Sequence, residues 1–263
     1  MSYDPILDQF LEEVPDLIFR AGEITRRYFR RSDLRVDYKG DAGPVTEADR
    51  ETERFLTNEI GRRFPGHGIV GEEFGATERR EWTWIIDPID GTKAFVHGIP
   101  LYTVLIALTR GARFVAGAIR NPVTDETVIA AEGRGCFHNG RPTHVREARP
   151  LKDATICVTD YADLYRRDPA FAGKLLSEVD MARTWADGYG YLLVATGTVD
   201  AALDPIMSIW DIAPLVPIIR EAGGTITEWN GQLSSEPASA IVAAPELHRE
   251  ILALGPSDYS PSA

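Results

Sequence analysis

Apolar residues recur at helical spacing through Ile6, Phe10, Leu11, Val14, Leu17, Ile18, Ala21, Ile24 and Tyr28, which predicts an amphipathic helix over residues 5–29. Pro15 falls inside it and lacks a main-chain donor, so a kink is expected there. A short extended piece, Leu34 to Tyr38, leads into the loop KGDAGP. A second helix is predicted from Glu47 to Phe64, with Thr46 as N-cap and Pro65–Gly66 as the stop. The pattern then shortens. Gly68–Val70 runs into Glu72 and Glu73, and Trp82–Ile86 runs into Asp87. Three strand-like runs follow, Tyr102–Thr109, Phe114–Arg120 and Glu126–Ala131, with turns at Gly111 and Asn121–Pro122. Strands in succession predict an antiparallel sheet. Past about residue 140, strand candidates at 154–159, 181–185 and 199–204 alternate with helical stretches at 169–179, 187–197 and 211–222. A last strand, Ala240–Ala243, precedes a closing helix, which completes an α/β alternation. The chain therefore divides into an N-terminal α+β half, 1–140, and a C-terminal α/β half, 141–263, with a frayed tail GPSDYSPSA.

Composition narrows the class. At 263 residues and 44% hydrophobic, the chain can bury a large core. No stretch approaches the roughly 20 apolar residues of a membrane span. The acidic start MSYDPILDQFLEE has no basic-then-apolar leader, so an export signal is not expected. Cys136 and Cys157 form no CxxC, and the five histidines show no metal-ligand spacing. A reduced, cytoplasmic protein without a thiolate zinc site is expected. The net charge of −12 argues against a nucleic-acid partner, which needs a basic face.

The chemistry gathers in acids. In WTWIIDPIDGTKAF, residues 82–95, an apolar strand delivers Asp87, and Asp90 follows three positions on. Pro88 is expected to end the strand's ladder and shape the turn, so that both carboxylates face one point with the Ile89 carbonyl between them. Such carboxylates repel unless a cation neutralises them, and Mg²⁺ favours hard oxygen donors. A capped turn with a solvated Asp90 is the simpler alternative. Glu72 and Glu73 in IVGEEFG (69–75), Asp211 in SIWDIAP (208–214) and Asp49 in PVTEAD (44–49) are further acids at element ends. Each alone is equally compatible with a loop or helix-cap role.

Taken together, GEE, DPIDGT and WD at these separations resemble the inositol monophosphatase superfamily of metal-dependent, lithium-sensitive phosphatases, from about residue 20 to about 245. The resemblance implies an α+β, α/β layered α-β-α-β-α sandwich and two or three Mg²⁺ per active site. It implies Glu72, Asp87 and the Ile89 carbonyl at a first metal, and Asp87, Asp90 and Asp211 at a second, with Glu72 also near a looser third. It implies Asp49 and Thr92 as the pair that polarises the attacking water, the Gly91 and Thr92 N–H groups as phosphate donors, and a homodimer. Hydrolysis by metal-activated water, with no phospho-enzyme, is what it implies for the chemistry. An aspartyl-phosphate route would need a DxD near the N-terminus, and here two residues intervene.

Two stretches speak to substrate. ARTWADGYGYLLVATG (182–197) and LDPIMSIWD (203–211) resemble the histidinol-phosphate phosphatase branch, through a TW-D-YGY signature and DPIM before WD. That implies a small soluble phosphate monoester, histidinol phosphate, whose ammonium and imidazole call for carboxylates. Asp187 and Asp204 are the candidates, with Asp90, Asp211 and Arg183 beside them; Asp187 as a helix N-cap is the alternative. Three departures stand out: Gly188 where the branch often has cysteine, Ser208–Ile209 where Asn-Pro is common, and Pro214 added to Pro217 in the helix after Asp211. Pro214 falls in the first turn, where a missing N–H costs little, whereas Pro217 is expected to distort the helix. The remaining alternatives are an inositol phosphate or broad phosphate monoester phosphatase, and a non-catalytic regulatory or assembly protein on the same fold.

Overall fold

A computed structural model of the chain describes residues 4–38, 43–76, 78–185 and 187–256. Most of the KGDAGP loop (39–42) and of the tail (257–263) lies outside the described residues.

Helix α1 (Pro5–Tyr28) starts on Asp4, whose side chain accepts the Ile6 N–H at 3.2 Å. It runs through Pro15 as one helix, not two. Pro15 is exposed, so the carbonyl it leaves unmatched is on the solvent side, while Phe10, Val14, Leu17 and Ile18 hold the other face to the core. Strands β1 (Val36–Tyr38) and β2 (Pro44–Thr46) pair antiparallel. Helix α2 (Glu47–Arg63) follows, with Thr46 and Asp49 forming a capping box at its start.

An eight-stranded sheet follows among the described residues. Its strands are β3 (Gly68–Gly71), β4 (Gly75–Ala76), β5 (Trp82–Asp90), β6 (Thr103–Arg110), β7 (Arg113–Asn121), β8 (Glu126–Ala131), β9 (Gly135–His138) and β10 (Arg141–Pro142). The order is β10-β9-β8-β7-β6-β5-β3-β4. All neighbours are antiparallel except β3 and β5. A short helix α3 (Thr92–Val96) follows β5.

The second half contributes β11 (Thr155–Val158), α4 (Tyr161–Arg167), α5 (Pro169–Glu178), β12 (Met181–Arg183), α6 (Gly188–Ala195), β13 (Ala201–Asp204), α7 (Ile209–Ile212), α8 (Leu215–Glu221), β14 (Thr225–Thr227), β15 (Ala240–Ala243) and α9 (Pro245–Ala253). Its five-stranded sheet has order β12-β11-β13-β15-β14, with β12, β11 and β13 parallel. The predicted helix over 211–222 is two helices, divided at Pro214. Pro217 lies in the first turn of α8, where its missing N–H has no helical partner to lose, so the expected distortion has no cause.

Alternation along the strands assigns the layers. In β6, Val104, Ile106 and Leu108 pack under α1 and α2, while Leu105 faces the opposite way, toward α6 and α8. In β15, Ala240 and Val242 face α6 and α8, while Ile241 and Ala243 face α5 and α9. The stack is therefore α-β-α-β-α. Helix α6 is buried on every side from Gly190 to Ala195, because it lies between two sheets.

Candidate active site

Side chains alternate along a strand, so Asp87 and Asp90, three positions apart, would point to opposite faces of a regular β5. The register prevents this. Asp87 lies opposite Leu105 and Asp90 opposite Thr103, so β5 carries one more residue than β6 across the interval. This bulge at Pro88–Ile89 returns Asp90 to the side of Asp87. The strand therefore continues past Pro88 to Asp90. The ladder does not stop at the proline, because a bulge is a place where a ladder donor is not required. Ile89 turns its side chain into a small core with Ala48, Phe95 and Tyr102.

Asp87, Asp90 and Asp211 each bring an oxygen within 4.8 Å of the others. Asp211 arrives from the start of α7, where its Oδ2 accepts the Ser208 N–H at 2.7 Å. The helix-capping alternative and membership of the cluster thus hold together. Asp90 Oδ2 accepts from Thr103 Oγ1 at 3.2 Å and from the Gly188 N–H. Gly188 has no room for a side chain: a Cβ there would stand 2.4 Å from Thr103 Oγ1 and 2.5 Å from Asp90 Oδ2.

Burial first, then the charges of Glu72, Asp90 and Asp211, push Asp87 well above the usual carboxylate range. Burial followed by Asp187 and Asp211 does the same to Asp90. Burial raises Asp211 to about 6, against the Ser208 N–H that favours its ionised form. Such a group of like charges is held at a cost that a cation would remove.

Glu72 lines the cleft but is not one of the three clustered carboxylates. Its turn is built by a residue that sequence reading did not single out. Glu53, buried on α2, accepts the Glu73 N–H at 2.7 Å and the Phe74 N–H at 2.9 Å. A Cβ on Gly71 would stand 2.0 Å from Glu53 Oε1, so the glycine before the two glutamates is required by this carboxylate. Asp49 Oδ2 accepts from the Thr46 N–H (2.7 Å) and Oγ1 (2.6 Å). Its Oδ1 is buried with no hydrogen-bond partner, and burial raises the group to about 6. Thr92 Oγ1 donates to the Ile89 carbonyl at 2.9 Å. Gly91, in the left-handed conformation at φ 83°, turns the chain into α3, whose start no side chain caps.

Glu72, Asp87, Asp90, Gly91, Thr92 and Asp211 line a cleft of about 760 Å³, and Asp49 and Glu53 stand behind its lining. Asp187 and Asp204 line it; Arg183 does not. The Arg183 side chain is exposed on β12 and donates to the neighbouring Ala182 carbonyl, so the substrate contact expected of it has no support in the geometry. Asp187 occupies the N-cap position of α6, yet its side chain caps nothing; it stands instead beside Gly91, with burial raising it to about 6. Burial raises Asp204 to about 7, opposed by the Thr159 hydroxyl and the Ile206 N–H. Asp160, Asp163 and Lys93 also line the cleft. Asp160 stands two residues past the end of β11, and Asp204 is the last residue of its parallel neighbour β13. Acids at or just past the carboxyl ends of parallel neighbours converge, and that signal was available in the sequence.

An all-oxygen donor set that is charged, buried and short of counter-charge suits a hard divalent cation better than a soft one. The charge of Asp49 is felt at Asp87, and its orphaned Oδ1 fits the same requirement for an external partner.

The sequence profile of the inositol monophosphatase family matches residues 7–256. The histidinol-phosphatase of Chlorobaculum parvum is 39% identical over 236 residues, covering 87% of this chain and 89% of its own. That of Mycobacterium tuberculosis is 38% identical over 248 residues, covering 89% and 92%. Among solved structures, the extragenic suppressor protein suhB from Bartonella henselae matches with a TM-score of 0.87 at 29% identity, over 94% of this chain and 98% of that one. Family, fold and carboxylate cluster agree: the chain belongs to the inositol monophosphatase family and is a phosphoric monoester hydrolase.

Proposed function

We propose that the chain hydrolyses L-histidinol phosphate to L-histidinol and phosphate, with Mg²⁺ as its metal. The observation that carries the substrate is the charge of the cleft. Eight carboxylates line it against one lysine among the described residues, and Asp160, Asp163, Asp187 and Asp204 lie outside the Asp87–Asp90–Asp211 cluster. A neutral polyol can donate hydroxyls to some of these acids but leaves their charge unmatched, whereas an ammonium and an imidazolium match it. The two relatives named above as histidinol-phosphatases support the same reading.

Glu72, Asp87 and the Ile89 carbonyl, then Asp87, Asp90 and Asp211, are the ligands in this reading, for two or three ions. Bound Mg²⁺ supplies Lewis acidity toward water and the phosphoryl oxygens. The protein's own groups do the rest. Asp49 Oδ1, with its free lone pairs, accepts a proton from the attacking water, and Thr92 Oγ1 orients that water from the other side. The Gly91 and Thr92 N–H groups, at the uncapped start of α3, receive phosphate oxygens. Asp187 and Asp204 meet the cationic end, and their raised pKa values fall when a cation arrives. Sensitivity to lithium, a homodimeric state and a cytoplasmic location complete the reading.

The test is phosphate release from L-histidinol phosphate, inositol 1-phosphate and 4-nitrophenyl phosphate, with Mg²⁺ and with EDTA. We expect activity only with Mg²⁺, and kcat/KM at least about tenfold higher for histidinol phosphate than for inositol 1-phosphate. A preference for inositol 1-phosphate would overturn the substrate.

A further inference from the structure

Behind the wall that carries Asp204 lies a buried assembly with no part in the site described so far. Trp229 is 2% exposed, and its Nε1–H donates to the main-chain carbonyl of Asp204 at 3.1 Å. Arg167, at the end of α4, donates from Nη1 to the next carbonyl, that of Pro205, at 2.8 Å. The guanidinium carbon sits 4.8 Å from the Trp229 ring centroid, so the two side chains also hold each other. Phe171 packs edge-on against the same indole at 5.1 Å.

The segment these residues grip links two carboxylates of the cleft, and it is pinned at each step. The Ile206 N–H donates to Asp204 Oδ1 at 3.0 Å, which couples the side chain to the main chain that Trp229 and Arg167 hold. The Met207 N–H donates to the Ala238 carbonyl at 2.8 Å, and the Ser208 N–H to Asp211 Oδ2 at 2.7 Å. The anchors at Met207 and Ser208 are separate from those at Asp204 and Pro205. A loss at Trp229 or Arg167 therefore loosens the exit of β13 at Asp204 and Pro205, although Asp204 still pairs with Ala240, while the Asp211 end stays tied.

We infer that Trp229 and Arg167 are positioning residues: through the carbonyls of Asp204 and Pro205 they set where the Asp204 carboxylate stands, and so the preference of the cleft for a cationic over a neutral phosphate monoester. The inference rests on the proposed role of Asp204 as a substrate contact. Tryptophan is suited to the task because its indole fills the layer beneath the wall and carries one donor at the rim. Arginine is suited because a planar cation can stack on that ring and donate past it at once.

Trp229→Phe keeps an aromatic ring and removes the donor; Arg167→Met removes donor and charge, and Arg167→Lys keeps the charge. Each is assayed at saturating Mg²⁺ with L-histidinol phosphate and with 4-nitrophenyl phosphate, alongside Asp204→Asn. We expect Trp229→Phe and Arg167→Met to raise KM for histidinol phosphate about five- to tenfold with kcat within about twofold, as for a lost buried hydrogen bond. Activity on 4-nitrophenyl phosphate should stay at the parent level, and Arg167→Lys should recover part of the loss. A melting curve for each variant identifies any that is unfolded; if Trp229→Phe is, the half-buried Arg167 pair decides alone. Equal loss on both substrates, or no change on either, would overturn the inference. If Asp204→Asn itself leaves the preference intact, the role of Asp204 fails; if it abolishes the preference while the Trp229 and Arg167 variants keep it, only the positioning role fails.

Discussion

Gly188→Cys is the most revealing single change, because it restores a residue common in the histidinol-phosphate phosphatase branch and the structure forbids it. The new Cβ would stand 2.4 Å from Thr103 Oγ1 and 2.5 Å from Asp90 Oδ2. To reach ordinary contact those atoms must retreat by roughly 1 Å, and overpacking of this kind costs about 1–3 kcal/mol. Thr103 is fully buried on β6 and cannot yield easily, so Asp90 gives way. Gly188 is the first residue of α6, where the entropy returned by replacing glycine is small, so the loss in stability stays at about 1–3 kcal/mol. The larger effect falls on the metal. Asp90 loses its hold on the Gly188 N–H and shifts from Asp87 and Asp211, and displaced support of a ligand typically costs about 10–100-fold in metal affinity. The assay is phosphate release as a function of Mg²⁺ concentration: half-activation should move up by that factor, with much of kcat recovered at saturation. Gly188→Ala carries the same Cβ and should move half-activation in the same direction, which separates the clash from any chemistry of the thiol. Parental Mg²⁺ dependence in both variants would refute the reasoning.

Asp90→Asn should cut turnover by at least about 100-fold, with an unchanged circular dichroism spectrum and a metal-free melting temperature no lower than the parent's, since one of three crowded charges is gone. Acidity should stabilise the metal-free protein. Asp49, Asp187 and Asp211 stand at about 6 and Asp204 at about 7, all raised above 3.8 chiefly by burial. Across that interval the folded state holds protons that the unfolded chain has released, so stability falls as pH rises. In EDTA the melting temperature should therefore drop between about pH 5 and 7.5, and Mg²⁺ should recover it most at the upper end, where protons no longer compete for the ligands. Glu53→Gln places an NH₂ where one of two main-chain donors needs an acceptor. It should cost about 1–3 kcal/mol in urea unfolding and raise the Mg²⁺ requirement through Glu72.

Asp49, Glu72, Asp87, Asp90 and Asp211 were legible because each stands at or near the end of an apolar run or the start of a helix, whereas Asp160 and Asp163 were passed over. Asp87, Asp90 and Asp211 needed only that pattern and the family resemblance to be picked out. What brings them together was not legible. The extra residue of β5 depends on its pairing with β6, a partner chosen by the tertiary structure, and Pro88 looked like an end to the strand instead of a bulge within it. Glu53 was hidden for a related reason: on α2 it is one charge among many, and only the close approach of Gly71 gives it a task. Arg183 misled because a basic residue near a substrate motif invites a phosphate role, whereas its place on the edge strand β12 turns it to solvent. The layered order came with the family resemblance, but α6 was not distinguishable as the central helix until two sheets were seen to enclose it.

The bulge in β5 has an outcome for how the site tolerates change. At this bulge the Ile89 carbonyl accepts from Thr92 Oγ1 and Ile89 lines the cleft, while its side chain packs with Ala48, Phe95 and Tyr102. Any amino acid at position 89 presents that same oxygen. Exchanging the side chain there tests the packing of a buried residue, and a scan by substitution would leave the oxygen itself untested. Only an edit that alters the count of residues between the two aspartates, by deletion or insertion, can remove this donor.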